Sequence, residues 1–195
     1  MIKLNLEEEQ LKKIRRLTKV GEDNTYHFLG YTLNLETNQF YDLLEKGTVH
    51  SDWGVQNMTA LLAHYSLANE TAKTGKLVKF KDLPGGYAYD HAFTQRAVDP
   101  VAQAFGSNPA ELSEVAMLFG GKKVNYGDLS VEIPALEGIP IVYILWVTPE
   151  FPASANLLFD ESASCFLDTE SLSGLGELTT HRILKAQAIL KKKKF

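Results

Sequence analysis

One cysteine, Cys165, is the entire thiol content of this chain. That excludes an internal disulfide, and equally a thiolate zinc centre or iron–sulfur cluster assembled by this chain alone. Long apolar runs are missing too. The longest, Ile139 to Val147, is strand-sized and falls well short of the roughly 18 residues that span a bilayer. No basic excess exists: the net charge is −4, which argues against a surface that neutralises nucleic-acid phosphates. The opening residues place Glu7, Glu8 and Glu9 where a secretory signal needs an apolar stretch, so a cytoplasmic location is the default expectation. Neither a GxxxxGK[ST] phosphate loop, an HExxH pair nor a GxSxG elbow occurs. Gly174-Leu-Gly176 begins a dinucleotide fingerprint but lacks both the preceding strand and the third glycine, and reads as a turn.

What is present is ordinary globular composition, with 45% hydrophobic and 23% charged residues in 195. That length supports one sizeable core, and no repeat or linker divides it. A single domain over residues 1–195 is expected: an N-terminal helix within 1–20, a main region over 26–182 and a basic tail over 191–195. The first helix should run from Leu6 to Leu17, capped by Asn5, with Leu11 and Ile14 inward. Short β-like runs follow from Tyr26 to Tyr41. Met58, Leu61, Leu62 and Tyr65 then form a helical stripe that Ser51 or Asp52 can cap. Leu77 to Lys81 reads as a strand. Asp99-Pro100 and Asn108-Pro109 each place a capping side chain before a helix-starting proline, and Leu112, Val115, Ala116 and Phe119 continue the second helix. Leu129, Val131 and Ile133 alternate with polar neighbours. Ile139 to Val147 is apolar on both faces, as a mid-sheet strand requires. Asn156 to Asp160 should be the next strand, after a tip of residues 148–155, and a final helix should start near Glu170 or Glu177 and reach Leu190. The class is α+β: a mostly antiparallel sheet flanked by four to five helices.

Two stretches concentrate side chains that could carry chemistry. In Leu83 to Arg96, Gly85 and Gly86 would let backbone approach a ligand, and Tyr87, Tyr89, His91 and Arg96 could then hold something anionic or planar. In Trp146 to Asp160, Pro149 and Pro152 stiffen the presentation of Glu150 and Phe151, while Asn156 and Asp160 lie four apart on one strand face. Asp160 suits the cap of a turn over 161–163. It or Glu150 could instead serve as an acid/base group with His91. The five histidines never stand at i,i+4, so no metal pair is built on a helix. His50 with Asp52, and His91 with Asp90, are half-sites at best. Cys165 adjoins Phe166 and Leu167, which suggests a buried, inert thiol. The run Lys191 to Lys194 reads as a solvated helix end.

The segments Gly75 to Tyr89, which contain Leu-Pro-Gly-Gly-Tyr-Ala-Tyr, together with Leu118-Phe-Gly-Gly121 and Glu150-Phe-Pro-Ala-Ser-Ala-Asn-Leu-Leu-Phe-Asp160, resemble a family of uncharacterised prokaryotic proteins. The family is found mainly in anaerobes and is catalogued as a domain of unknown function. Its members often carry acidic residues where Thr148-Pro149 stand here. The resemblance implies a setting in anaerobic redox or one-carbon metabolism, names no cofactor, and transfers no catalytic residue. The expectation is therefore a non-catalytic module that takes a small anionic or planar ligand, or a redox protein partner, near Gly85 to Arg96. The alternatives are an enzyme with a carboxylate/His acid–base site (Glu150 or Asp160 with His91), or a structural protein–protein interaction domain. No nucleic acid and no membrane is expected as a partner.

Overall fold

The computed structural model describes residues 2–45 and 52–193. The expectations for His50 and Ser51, and for the Asp52 side chain, lie outside the described residues. Helix α1 (Glu8–Leu17) is amphipathic, with Leu11 and Ile14 buried and an ion pair of 2.6 Å between Glu8 and Lys12. Its cap is Glu7 rather than Asn5, because Glu7 and Gln10 close a reciprocal capping box.

Strands β1 (Ile2–Lys3), β2 (Thr25–Phe28), β3 (Tyr31–Asn34) and β4 (Gln39–Asp42) form one antiparallel sheet in the order β1-β4-β3-β2. Its buried face stacks Tyr26 on Phe28 and Tyr31 on Phe40. Helix α2 (Asp52–Tyr65) buries Met58, Leu61, Leu62 and Tyr65. The Tyr65 hydroxyl donates to the carbonyl of Glu137, whose N–H donates to the Tyr26 hydroxyl. That turn joins the meander to a second sheet, a division into two sheets that alternation alone does not reveal.

The second sheet holds β5 (Leu77–Lys79), β6 (Lys122–Val124), β7 (Leu129–Leu136), β8 (Ile139–Thr148) and β9 (Phe151–Asp160), ordered β5-β9-β8-β7-β6 and wholly antiparallel. The apolar run sits at its middle, and Ile139 to Leu145 are all buried. β9 begins at Phe151, five residues before the expected Asn156, so the tip shrinks to Pro149-Glu150. The physical reason is that Pro152 tolerates an extended strand whose outer edge has no partner there.

Helices α3 (Asp90–Phe93), α4 (Asp99–Phe105), α5 (Ala110–Leu118) and α6 (Thr169–Lys193) complete the fold. The chain is already helical before Asp99, since residues 94–98 form a π-turn that leads into α4, with the Asp99 N–H donating to the Thr94 carbonyl. The wider turn accommodates Pro100 without a break, so Asp99 is not a cap. Asn108 likewise does not cap α5 in the ordinary sense: its amide donates to Glu111 at 3.0 Å. Gly174 and Gly176 lie inside α6 instead of a turn, and at Gly176 the absence of a side chain admits the ring of Phe93. Cys165 is exposed rather than buried, because the 3-10 turn Glu161–Cys165 turns Ser162 and Ala163 inward. No helix among the described residues is long and apolar enough to cross a membrane.

A fully buried ion pair ties α6 to the first sheet. Arg182, 1% exposed, donates two bonds of 2.7 Å to Asp42, 2% exposed, and its Nε donates to the Leu29 carbonyl. The guanidinium also lies 3.9 Å from the Tyr31 ring centre.

Candidate functional site

A three-residue strand next to a ten-residue one creates the site. β5 pairs only with Leu158, Phe159 and Asp160 of β9. At Phe80 the chain leaves the sheet in a 3-10 turn (Phe80–Asp82), so the backbone edge of Ala155, Asn156 and Leu157 has no strand partner on that side among the described residues. A groove of ≈ 200 Å³ opens there. Its floor is the Phe80–Phe93 stack, with ring centres 4.1 Å apart and planes within 19°, both rings buried. Lys79 and Lys81 flank Phe80 on one wall. Asp90 and Thr94 stand four apart on the helical wall that carries Phe93, and Asn156 lines the strand side.

The side chains around this groove are uncommitted. Among the described residues, no hydrogen bond or ion pair engages the side chains of Lys79, Lys81, Asp90, Thr94 or Asn156. Two cations, one carboxylate, a hydroxyl and an amide therefore face a concave surface with their bonding capacity unspent. Such a set can neutralise a small anion, accept from an ammonium and complete the remaining hydrogen bonds.

Of the residues singled out from the sequence, Asn156 lines the groove and His91 follows Asp90 on its helical wall. Tyr87 and Tyr89 are 83% and 68% exposed. Arg96 is exposed and pairs with Glu177 at 3.6 Å. Gly85 is left-handed, with φ +77° and open space around it. Gly86 serves a backbone contact: a β-carbon there would stand 2.0 Å from the Phe80 carbonyl oxygen, and its N–H is already donated to Leu83. The close approach is thus between two turns of the same chain.

Asp160 is buried at the far end of β9 from Glu150. Its carboxylate accepts from Thr74 N–H and Oγ, Gly75 N–H, and Ser162 N–H and Oγ, at 2.6–3.0 Å. Burial opposes its ionisation, but the Ser162 hydroxyl and these backbone donors outweigh it and hold the carboxyl well below the usual range. Glu150 occupies the β8–β9 turn beside Phe151, which is 74% exposed. No hydrogen bond or ion pair among the described residues joins His91 to either acid.

Lys79, Lys81, Asp90 and Thr94 escaped the sequence reading as site residues. The available signal was the Lys-Phe-Lys alternation ahead of Pro84, which reads equally well as a wet strand face. A second concavity of ≈ 350 Å³ is lined by His64, Leu67, Cys165, Phe166 and Asp168. Most of its polar groups are already spent, since His64 Nδ1 bonds Ser171 Oγ at 2.8 Å, Asp168 accepts from the Ser171 N–H, and Ser164 donates to the Glu161 carbonyl. Among the described residues, no group of three or more His, Cys, Asp or Glu side chains could hold a metal ion.

One family model, described as a domain of unknown function (DUF3786), matches residues 18–182. No curated protein and no solved structure matches the chain.

Proposed function

Since the chain belongs to the DUF3786 family, whose description assigns no activity, we propose from its own chemistry that it is a binding module for a small anionic ligand. The ligand sits over the Phe80–Phe93 floor, between Lys79 and Lys81 on one wall and Asn156 on the strand. The observation that carries this reading is the contrast between spent and unspent polar groups. Asp160, Arg182, Asp42 and Glu111 are saturated by partners inside the protein, whereas the polar residues around the groove have none among the described residues. The π-turn supports the same location. Segments of this kind are uncommon and recur at functional sites, and this one contributes Thr94 and Val98 to the groove.

Titration of the labelled protein with inorganic phosphate and with succinate, followed by amide chemical shifts, tests the reading. Saturable shifts are expected at residues 79–81, 90–94 and 155–157, and a Lys79→Ala/Lys81→Ala double variant should abolish them while keeping the thermal midpoint. Absence of saturation with either anion at millimolar concentration would sink the proposal.

A further inference from the structure

The groove's charge pattern specifies more than the sign of its ligand. Building on the anion-binding reading, we infer that the ligand class is an acidic α-amino acid, a molecule with two carboxylates and one ammonium group. Lys79 and Lys81 present two positive charges and Asp90 presents one negative charge across the same concavity. The complement of that set is two anionic groups and one cationic group. A plain dicarboxylate would satisfy both lysines but leave Asp90 facing like charge, which is unfavourable. A cationic ligand would meet two repulsive lysines.

Size agrees with this. A volume of ≈ 200 Å³ corresponds to roughly seven waters at ~30 Å³ each. That accommodates a free amino acid. The remaining lining has matching roles. The Phe80–Phe93 floor covers the aliphatic stem, and the Asn156 amide and Thr94 hydroxyl complete hydrogen bonds that three charged contacts leave open. Because Asp90 and Thr94 stand on one helical stripe, an ammonium held by Asp90 places its carboxylate neighbour within reach of the Thr94 hydroxyl. The two lysines stand on either side of Phe80 in the chain and line the same groove, so each carboxylate of the ligand has a cation to meet.

The decisive comparison is L-glutamate against glutarate, which share a carbon skeleton and differ in the amine. Binding to the full chain is measured by calorimetry, with inorganic phosphate as a third probe. Glutamate is expected to bind about tenfold or more tighter than glutarate, and Asp90→Asn should bring the two affinities together by weakening glutamate alone. The Asp90 side chain makes no hydrogen bond or ion pair among the described residues, so the thermal midpoint of that variant should match the parent. Glutarate binding as tightly as glutamate to the parent chain would overturn the amino-acid inference and leave the anion reading standing. Failure of glutamate, glutarate and phosphate alike would remove both. The ligand comparison on the parent chain decides the question whether or not the variant folds.

Discussion

Gly86 and Gly85 stand side by side with opposite reasons for lacking a side chain. At Gly86 a methyl would strike the Phe80 carbonyl at 2.0 Å, whereas at Gly85 the space is open and only the φ of +77° is unfavourable. Gly85→Ala should therefore cost about 1–2 kcal/mol, the left-handed penalty of an L-residue. Gly86→Ala must push two turns apart, costs about 3 kcal/mol as an overpacked contact, and distorts the groove floor at Phe80. Urea midpoints rank the pair, and equal losses would contradict the assignment. The two lysines support a further expectation. Both are exposed, so their attraction for an anion is screened by salt. Anion affinity should fall steadily as sodium chloride rises, and an affinity indifferent to salt would exclude Lys79 and Lys81 as the binding charges. Nothing in the local sequence marks these residues, because Lys-Phe-Lys ahead of a proline is equally common on a solvated strand. What gathers them at one groove is where β5 ends.

At the scale of elements, Arg182 is what ties α6 to the first sheet. Removing the guanidinium with Arg182→Met leaves the Asp42 carboxylate buried with only the Leu44 and Glu45 N–H groups, a loss of about 3–5 kcal/mol. Adding Asp42→Asn keeps an acceptor for those N–H groups and removes the stranded charge, so the double variant should be more stable than Arg182→Met alone. Chemical denaturation of both variants checks the order. The legibility of elements follows the range of their causes. β8 and α5 were readable because their periodicities are local, nine consecutive apolar residues in one case and the Leu112-Val115-Ala116-Phe119 stripe in the other. The start of β9 was not readable, because prolines usually break a strand and nothing nearby announces an unpartnered edge. The π-turn was equally hidden: Asp99-Pro100 looks like a helix start, and only packing of residues 94–98 against α6, with Thr180 Oγ donating to the Ala97 carbonyl at 2.6 Å, shows the helix running through it. The partner of Arg182 lies 140 residues away, out of reach of any pattern along the chain.

For the whole molecule, two buried carboxylates set the response to acid. Burial raises the affinity of Asp42 for a proton, but the Arg182 guanidinium and the Leu44 and Glu45 N–H groups more than reverse that, and Asp160 is depressed by its own ring of donors. Both folded values lie below the unfolded value of 3.8. The unfolded chain therefore binds more protons in acid, and the stabilisation is complete above about pH 5 and drains away as pH falls below about 4. Denaturant midpoints should be flat from pH 5 to 7 as far as these two groups are concerned and should drop steeply toward pH 3. Asp42→Asn and Asp160→Asn should each flatten that drop, while lowering the plateau.

The Arg182–Asp42 contact also makes one sheet depend on a residue far along the chain. Asp42 precedes the side chain that neutralises it by 140 residues, so a fragment that stops short of Arg182 keeps the carboxylate without its cation. Limited proteolysis of such a fragment is expected to cut within residues 25–42 faster than it does in the full chain.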